Sequence, residues 1–184
     1  MQNETIIAGF GGQGVLFAGK LLAHAGLHAG HEVTWLPSYG PEMRGGTANC
    51  TVIISDGEIG SPQVRNPKAV IVLNQPSLDR YEALVQSGGY LIINSSLVNR
   101  EAQRKDIHVI AIPGTEDAEA LGDKRLTNMV MLGGLVQNTD FVPFKSVEEA
   151  LKKESSEKQL KLLELNLKAL RKGAEYLEKN KRVK

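Results

Sequence analysis

Gly9-Phe10-Gly11-Gly12-Gln13-Gly14 stands directly after the β-branched, apolar run of residues 5–8 and directly before a stretch rich in Ala, Gly and Leu. A short buried strand, a glycine turn and a helix are the reading of those three pieces. Glycine tolerates positive φ and lets a ligand approach the backbone. The helix start behind it offers unpaired N–H groups and a partial positive charge. Gly9, Gly11 and Gly14 satisfy the G-x-G-x-x-G spacing of a phosphate-binding turn in the context that spacing requires. The alternative is a tight turn without a ligand, its glycines serving helix–strand packing.

Working outward, residues 13–29 predict a helix that Gly30 stops. Residues 33–36 predict a second strand, halted by Pro37. This strand–helix–strand unit has the size of a βαβ crossover. Residues 38–46 hold three glycines and a proline and predict a loop. Residues 47–55 predict a long strand, and Asp56-Gly57 a hairpin turn into a returning strand at 58–64. Near-continuous apolar runs at 69–73, 90–93 and 107–112 predict buried strands. Helices are expected at 77–86, 98–104, 115–121 and 127–137, and one opened by a capping box at Ser146-Val147-Glu148-Glu149. A last helix is expected over 156–179. The fold class that follows is α/β: a three-layer, Rossmann-like, mainly parallel sheet with one antiparallel pair and a long C-terminal helix, in a single domain spanning residues 1–184.

That last helix carries Leu160, Leu163, Leu167, Leu170, Ala174 and Leu177 in a narrow apolar stripe. The stripe packs on its own domain or is offered to a partner subunit. Glu164–Lys168, Arg171–Glu175 and Glu175–Lys179 are spaced as i,i+4 ion pairs. The basic end, Lys179 to Lys184, reads as a solvated tail.

Composition narrows the function classes. The formal net charge is +1 and the charges are scattered, which argues against a nucleic-acid partner. No run approaches the length of a membrane span, and the start lacks the pattern of a signal peptide, so a soluble, cytoplasmic protein is expected. Cys50 stands alone in an apolar run. It reads as a buried small hydrophobe, and one cysteine does not hold an iron–sulfur cluster.

A nicotinamide or flavin site needs an acid at the end of the second strand to hold a ribose. Here that strand ends Leu36-Pro37-Ser38, and Glu32 lies at its other end. A stand-alone dinucleotide-binding oxidoreductase therefore fails its second requirement. Gln13 either reaches a ligand or hydrogen-bonds the turn. The loop Ser38-Tyr39-Gly40-Pro41-Glu42-Met43-Arg44-Gly45-Gly46 follows the second strand and should emerge on the same sheet edge as the first turn. Arg44 suits a phosphate or carboxylate; alternatively it pairs with Glu42 at the surface. His24, His28 and His31 fall at i, i+4 and i+7, but no carboxylate or cysteine completes a metal set, so no metal is expected. Asn128 either acts near a helix start or caps it. No P-loop and no nucleophile-elbow motif is present. A ligand turn without chemical machinery suggests one component of a larger enzyme; a non-catalytic interaction module built on the leucine stripe is the third reading.

The first turn and the 38–46 loop, in this order and spacing, resemble the gamma subunit of the 2-oxoacid:ferredoxin oxidoreductases. Ile53-Ile54-Ser55-Asp56, Ile59-Gly60-Ser61-Pro62 and the helix start at Asn128 match the same pattern, so the resemblance covers nearly the whole chain. The Ser-Tyr-Gly-Pro-Glu form is similar to the 2-oxoglutarate or branched-chain 2-oxoacid members. The resemblance implies an enzyme that converts a 2-oxoacid and coenzyme A to acyl-coenzyme A and carbon dioxide, passing electrons to ferredoxin or flavodoxin. It implies thiamine diphosphate and iron–sulfur clusters on alpha, beta and possibly delta partners, none bound by this chain alone, and coenzyme A as substrate near this component. The residues it marks are Gly9, Gly11, Gly12, Gln13, Gly14, Tyr39, Glu42, Arg44 and Gly45, toward coenzyme A or a neighbouring subunit.

Overall fold

The computed structural model describes residues 1–40, 46–154 and 160–177. Strands β1 (Gln2–Phe10), β2 (Glu32–Tyr39), β3 (Thr47–Ser55), β4 (Ala69–Val72), β5 (Tyr90–Asn94) and β6 (His108–Ile112) form one sheet in the order β2-β3-β1-β4-β5-β6. β1, β4, β5 and β6 pair in parallel, and β3 runs against both of its neighbours. The helices are α1 (Val15–His28), α2 (Gln75–Tyr81), α3 (Gly114–Ala120), α4 (Thr127–Asn138), α5 (Phe144–Glu154) and α6 (Leu160–Ala174). The mainly parallel α/β sheet expected from the apolar runs is present.

Two apolar clusters lie on the two faces of the sheet. Alternation along β1 sends Ile7 to the larger cluster, under α1, α4, α5 and α6, and sends Ile6 and Ala8 to the smaller one, under α2. α4 is buried along nearly its whole length, because it is held between the sheet and α6. That explains an apolar helix with no polar face. The closeness depends on glycine. A Cβ on Gly133 would fall inside the Leu170 carbonyl, and one on Gly173 inside that of Val130.

Leu163, Leu167 and Leu170 pack into the larger cluster, so the stripe serves this domain's own core. Leu177 is exposed. Arg171 pairs with Glu148 of α5, and Glu175 with Lys172. The pair to Lys179, the helix start near 156 and the basic tail lie outside the described residues.

Four local expectations are corrected. β2 runs through Pro37 to Tyr39: it is an edge strand, where a missing N–H breaks no ladder. Residues 58–64 form no strand, because β1 and β2 already occupy both sides of β3. β3 thereby stands between β1 and β2, so the crossover through α1 skips one position. Residues 98–104 are not helical. The backbone N–H groups of Gln103 and Arg104 donate to Glu82 instead, and Arg100 bonds the same carboxylate at 2.8 Å. Ser146 is inside α5 rather than ahead of it; the helix opens at Phe144, with Ser146 N donating to Pro143 O.

Candidate functional site

The parallel strands all end at one edge of the sheet, which is where ligands sit in open α/β folds. β1 delivers the glycine turn there. Gly14 takes φ 73°, a left-handed conformation, and α1 begins behind it. The first bond of the helix runs from Ala18 N to Gly14 O. The N–H groups of Val15, Leu16 and Phe17 precede it and point out of the helix start.

β2 delivers Tyr39 to the same edge, and β3 leaves from it. Gly40 N donates to Thr47 O at 3.0 Å, closing the connection between those two strands, and Gly11 N donates to Gly46 O at 2.9 Å. The first turn and the end of the second loop are therefore bonded directly. Between them lies a cleft of about 500 Å³, lined by Gly11, Gly12, Gly14, Phe17, Tyr39 and Gly46 among others. Of the nine residues singled out from sequence, Gly11, Gly12, Gly14 and Tyr39 line this cleft. Gly9 and Gln13 stand behind it, and Glu42, Arg44 and Gly45 lie outside the described residues.

Gln13 braces the turn from within. Its Oε1 accepts from Phe10 N at 2.7 Å and from Asn74 Nδ2 at 3.0 Å, and its Nε2 donates to Leu73 O. Both ends of the side chain are thereby engaged within the fold. Asn94, at the end of β5, donates to the same Leu73 carbonyl and to Thr115 Oγ1. Asn128 is buried in the first turn of α4; its Nδ2 donates to Gly14 O at 3.0 Å and its Oδ1 accepts from Met129 N. One amide network thus ties the ends of β1, β4 and β5 to the starts of α1, α3 and α4. Asn74 and Asn94 carried a signal in the sequence, since each terminates an apolar strand. Phe17 carried none.

No charged side chain lines the cleft among the described residues. Its polarity comes from backbone N–H groups, the Tyr39 hydroxyl and the Thr47 hydroxyl. Such a surface is suited to binding and orienting rather than to covalent chemistry: among the described residues it offers no nucleophile activated by a base. β2 ends without an acid and Glu32 sits at the far end of the strand, opposite Ser55. Cys50 is fully buried, and burial pushes its thiol up to about 12, away from the thiolate form a nucleophile needs. The histidines face other groups: His24 Nδ1 lies 2.7 Å from Glu154, His31 Nδ1 3.0 Å from Asp56, and His28 near Lys153. No helix among the described residues is long and apolar enough to cross a membrane.

The family model for pyruvate ferredoxin/flavodoxin oxidoreductase matches residues 4–176. The chain belongs to this family. The ketoisovalerate oxidoreductase subunit VorA of Methanothermobacter marburgensis is 38% identical over 175 residues, 95% of this chain. This chain spans only about a third of that relative's length, 36%. The 2-oxoglutarate synthase subunit KorC of the same organism is 37% identical over 159 residues, covering 83% of this chain and 86% of its own. The crystal structure of the keto/oxoacid ferredoxin oxidoreductase gamma subunit from Geobacter sulfurreducens superposes with a TM-score of 0.84 at 32% identity, covering 95% of each chain. These relatives are subunits of 2-oxoacid oxidoreductases, and they lend no support to a stand-alone dinucleotide enzyme.

Proposed function

We propose that this chain is the gamma component of a multi-subunit 2-oxoacid:ferredoxin oxidoreductase. The observation that carries the reading is its end-to-end likeness to a gamma subunit, 95% of both chains. The assembled enzyme cleaves a 2-oxoacid oxidatively in the presence of coenzyme A. The acyl group leaves on the coenzyme A sulfur, the carboxylate leaves as carbon dioxide, and the electrons pass to ferredoxin or flavodoxin. The relatives are named for ketoisovalerate and 2-oxoglutarate, which agrees with a branched-chain or 2-oxoglutarate substrate.

Thiamine diphosphate and the iron–sulfur clusters belong on alpha, beta and delta partners in this reading. The donor set here supports that division: the chain has a single cysteine, and it is buried. This chain's own contribution is the glycine turn. Its N–H groups and the start of α1 face an anionic group, as the phosphates of coenzyme A require. Gln13 and Asn128 hold the turn in place; Tyr39, Glu42, Arg44 and Gly45 border it.

The test is co-expression with candidate thiamine-binding and ferredoxin-like subunits. The expected result is a complex that reduces ferredoxin only with both a 2-oxoacid and coenzyme A, while the isolated chain shows no turnover. Failure to co-purify with any thiamine-binding subunit from the native host overturns the reading.

A further inference from the structure

We infer that a hollow on the α2 side of the sheet, next to the end of β1, is a second phosphate site, in which Arg80 takes the 3′-phosphate of coenzyme A. The inference rests on the gamma-component reading and deepens it by naming what distinguishes the substrate's second phosphate group.

Alternation along β1 sends Ile6 and Ala8 toward α2. Where that strand ends, α2 and β3 border a hollow lined by Phe10, Thr47, Asn49, Ser77, Arg80 and Tyr81 among others. Thr47 and Asn49 stand opposite Phe10 and Ala8 in the β1–β3 ladder and share their face. Arg80 lies in the last turn of α2, with its guanidinium 5.3 Å from the centre of the Tyr81 ring, a cation–π contact that holds it. The adjoining carboxylate, Asp79, is already bonded to Arg100 and to Gln75. Arg80 itself makes no ion pair among the described residues. The Thr47 and Ser77 hydroxyls and the Asn49 amide make no hydrogen bond there either, and none of them is sealed from solvent. An arginine fork beside an amide and two hydroxyls, none of them engaged by another polar side chain, is a donor set for phosphate.

Position and size decide which phosphate. The hollow and the cleft of the glycine turn share Phe10, Thr47 and Ala48, so they lie on either side of the same strand ends. Coenzyme A carries two separate phosphate groups, a diphosphate within its chain and a monoester on its ribose. The cleft offers backbone N–H groups and, among the described residues, no charged side chain, which suits the diphosphate. The hollow has about 30 Å³ of free space, the share of one water molecule. It admits a phosphate oxygen at its mouth and neither an adenine ring nor a pantetheine arm. The doubly charged monoester is the group that gains most from a guanidinium. The larger groove near β6 offers no comparable set, because Arg100 and Arg104 on its rim are already paired with Asp79, Glu82 and Asp106.

The experiment uses the co-expressed complex and compares coenzyme A with 3′-dephospho-coenzyme A. Binding is read by calorimetry without 2-oxoacid, and turnover as KM and kcat. The wild-type complex is expected to bind coenzyme A the more tightly of the two. Arg80→Gln is expected to raise Kd and KM for coenzyme A about tenfold, the worth of a charge-assisted bond, with kcat retained and the Kd for the dephospho compound as in wild type. Arg80→Lys should recover part of the loss, since it keeps the charge without the fork. Arg80 is exposed, so thermal unfolding of the variant is expected to match wild type. Should Arg80→Gln fail to fold, Arg80→Lys and Asn49→Ala carry the test, each narrowing the preference for coenzyme A. An unchanged Kd for coenzyme A, or an equal loss for both compounds, overturns the inference. So does a raised KM for the 2-oxoacid alone, which would give Arg80 to a carboxylate, and so does a wild-type complex that binds the two compounds equally. A wild-type chain that enters no complex fails differently: it removes the gamma-component reading and this inference with it.

Discussion

Gly14 shows how a single residue type sets the candidate site. Its φ of 73° lies in the left-handed region, and Asn128 packs so closely on it that a Cβ would collide with the amide. Two penalties therefore fall on Gly14→Ala. The left-handed backbone costs about 1–2 kcal/mol for a residue with a Cβ, and the collision adds an overpacking cost of about 1–3 kcal/mol. The expected loss is about 3 kcal/mol by urea denaturation. Asn128→Ala alone is expected to cost about 1–2 kcal/mol, for the two hydrogen bonds its amide makes. The double variant should then lose less than the sum, because removing the amide clears the collision. Strict additivity would show that the contact does not matter. The need for glycine was legible from its place between strand and helix. The partner was not, because Asn128 lies 114 residues away, and nothing local marks which helix start will meet the turn.

Among the elements, the α4–α6 crossing carries the clearest consequence. Gly133 and Gly173 let the two backbones touch, each facing a carbonyl of the other helix. Gly133→Ala forces the helices apart against a fixed backbone rather than a side chain that can rotate. A loss of about 3 kcal/mol, at the upper end of overpacking costs, is expected in urea unfolding, although alanine is the better helix former. An unchanged midpoint would mean that the helices are less closely packed. α3 and α4 were predictable to within a residue or so, since the 3.6-residue period and the neighbouring Pro113 bound them. β2 and residues 98–104 were misjudged for one reason. Local rules stop a strand at Pro37 and start a helix at Val98. An edge position and the Glu82 carboxylate, both tertiary facts, reverse those preferences.

For the molecule as a whole, acid stability tests the second face of the sheet. Burial acting alone would raise the Glu82 carboxyl. The Arg100 guanidinium and the N–H groups of Arg104 and Gln103 outweigh it and hold the carboxyl below its ordinary 4.5. Arg104 likewise holds Asp106 near 2, and Arg100 lowers Asp79. Groups lowered in the fold stabilise it above their ordinary values, and that stability is lost as pH falls through the lowered ones. Stability is therefore expected to decline from about pH 4.5 toward pH 2. Glu82→Gln should cost about 2 kcal/mol at pH 7, the worth of a charge-assisted bond. It should also flatten the acid decline, measured as the urea midpoint against pH. A decline as steep as wild type would exclude Glu82 as its source.

The sequence by itself determined the α/β class, the turn at the end of β1, the burial of Cys50 and the likeness to a gamma subunit. Each follows from local patterning: apolar runs of strand length, glycines at fixed spacing, and motifs read in order along the chain. Only the tertiary structure decided that β3 enters between β1 and β2, that the leucine stripe closes over α4, and that Gln13 turns inward. It also decided that Phe17 and Tyr39 share one cleft. Those outcomes depend on which distant surfaces meet, and hydrophobic burial is non-directional. A side chain's pattern therefore shows that it will be buried, while close packing against particular neighbours shows where.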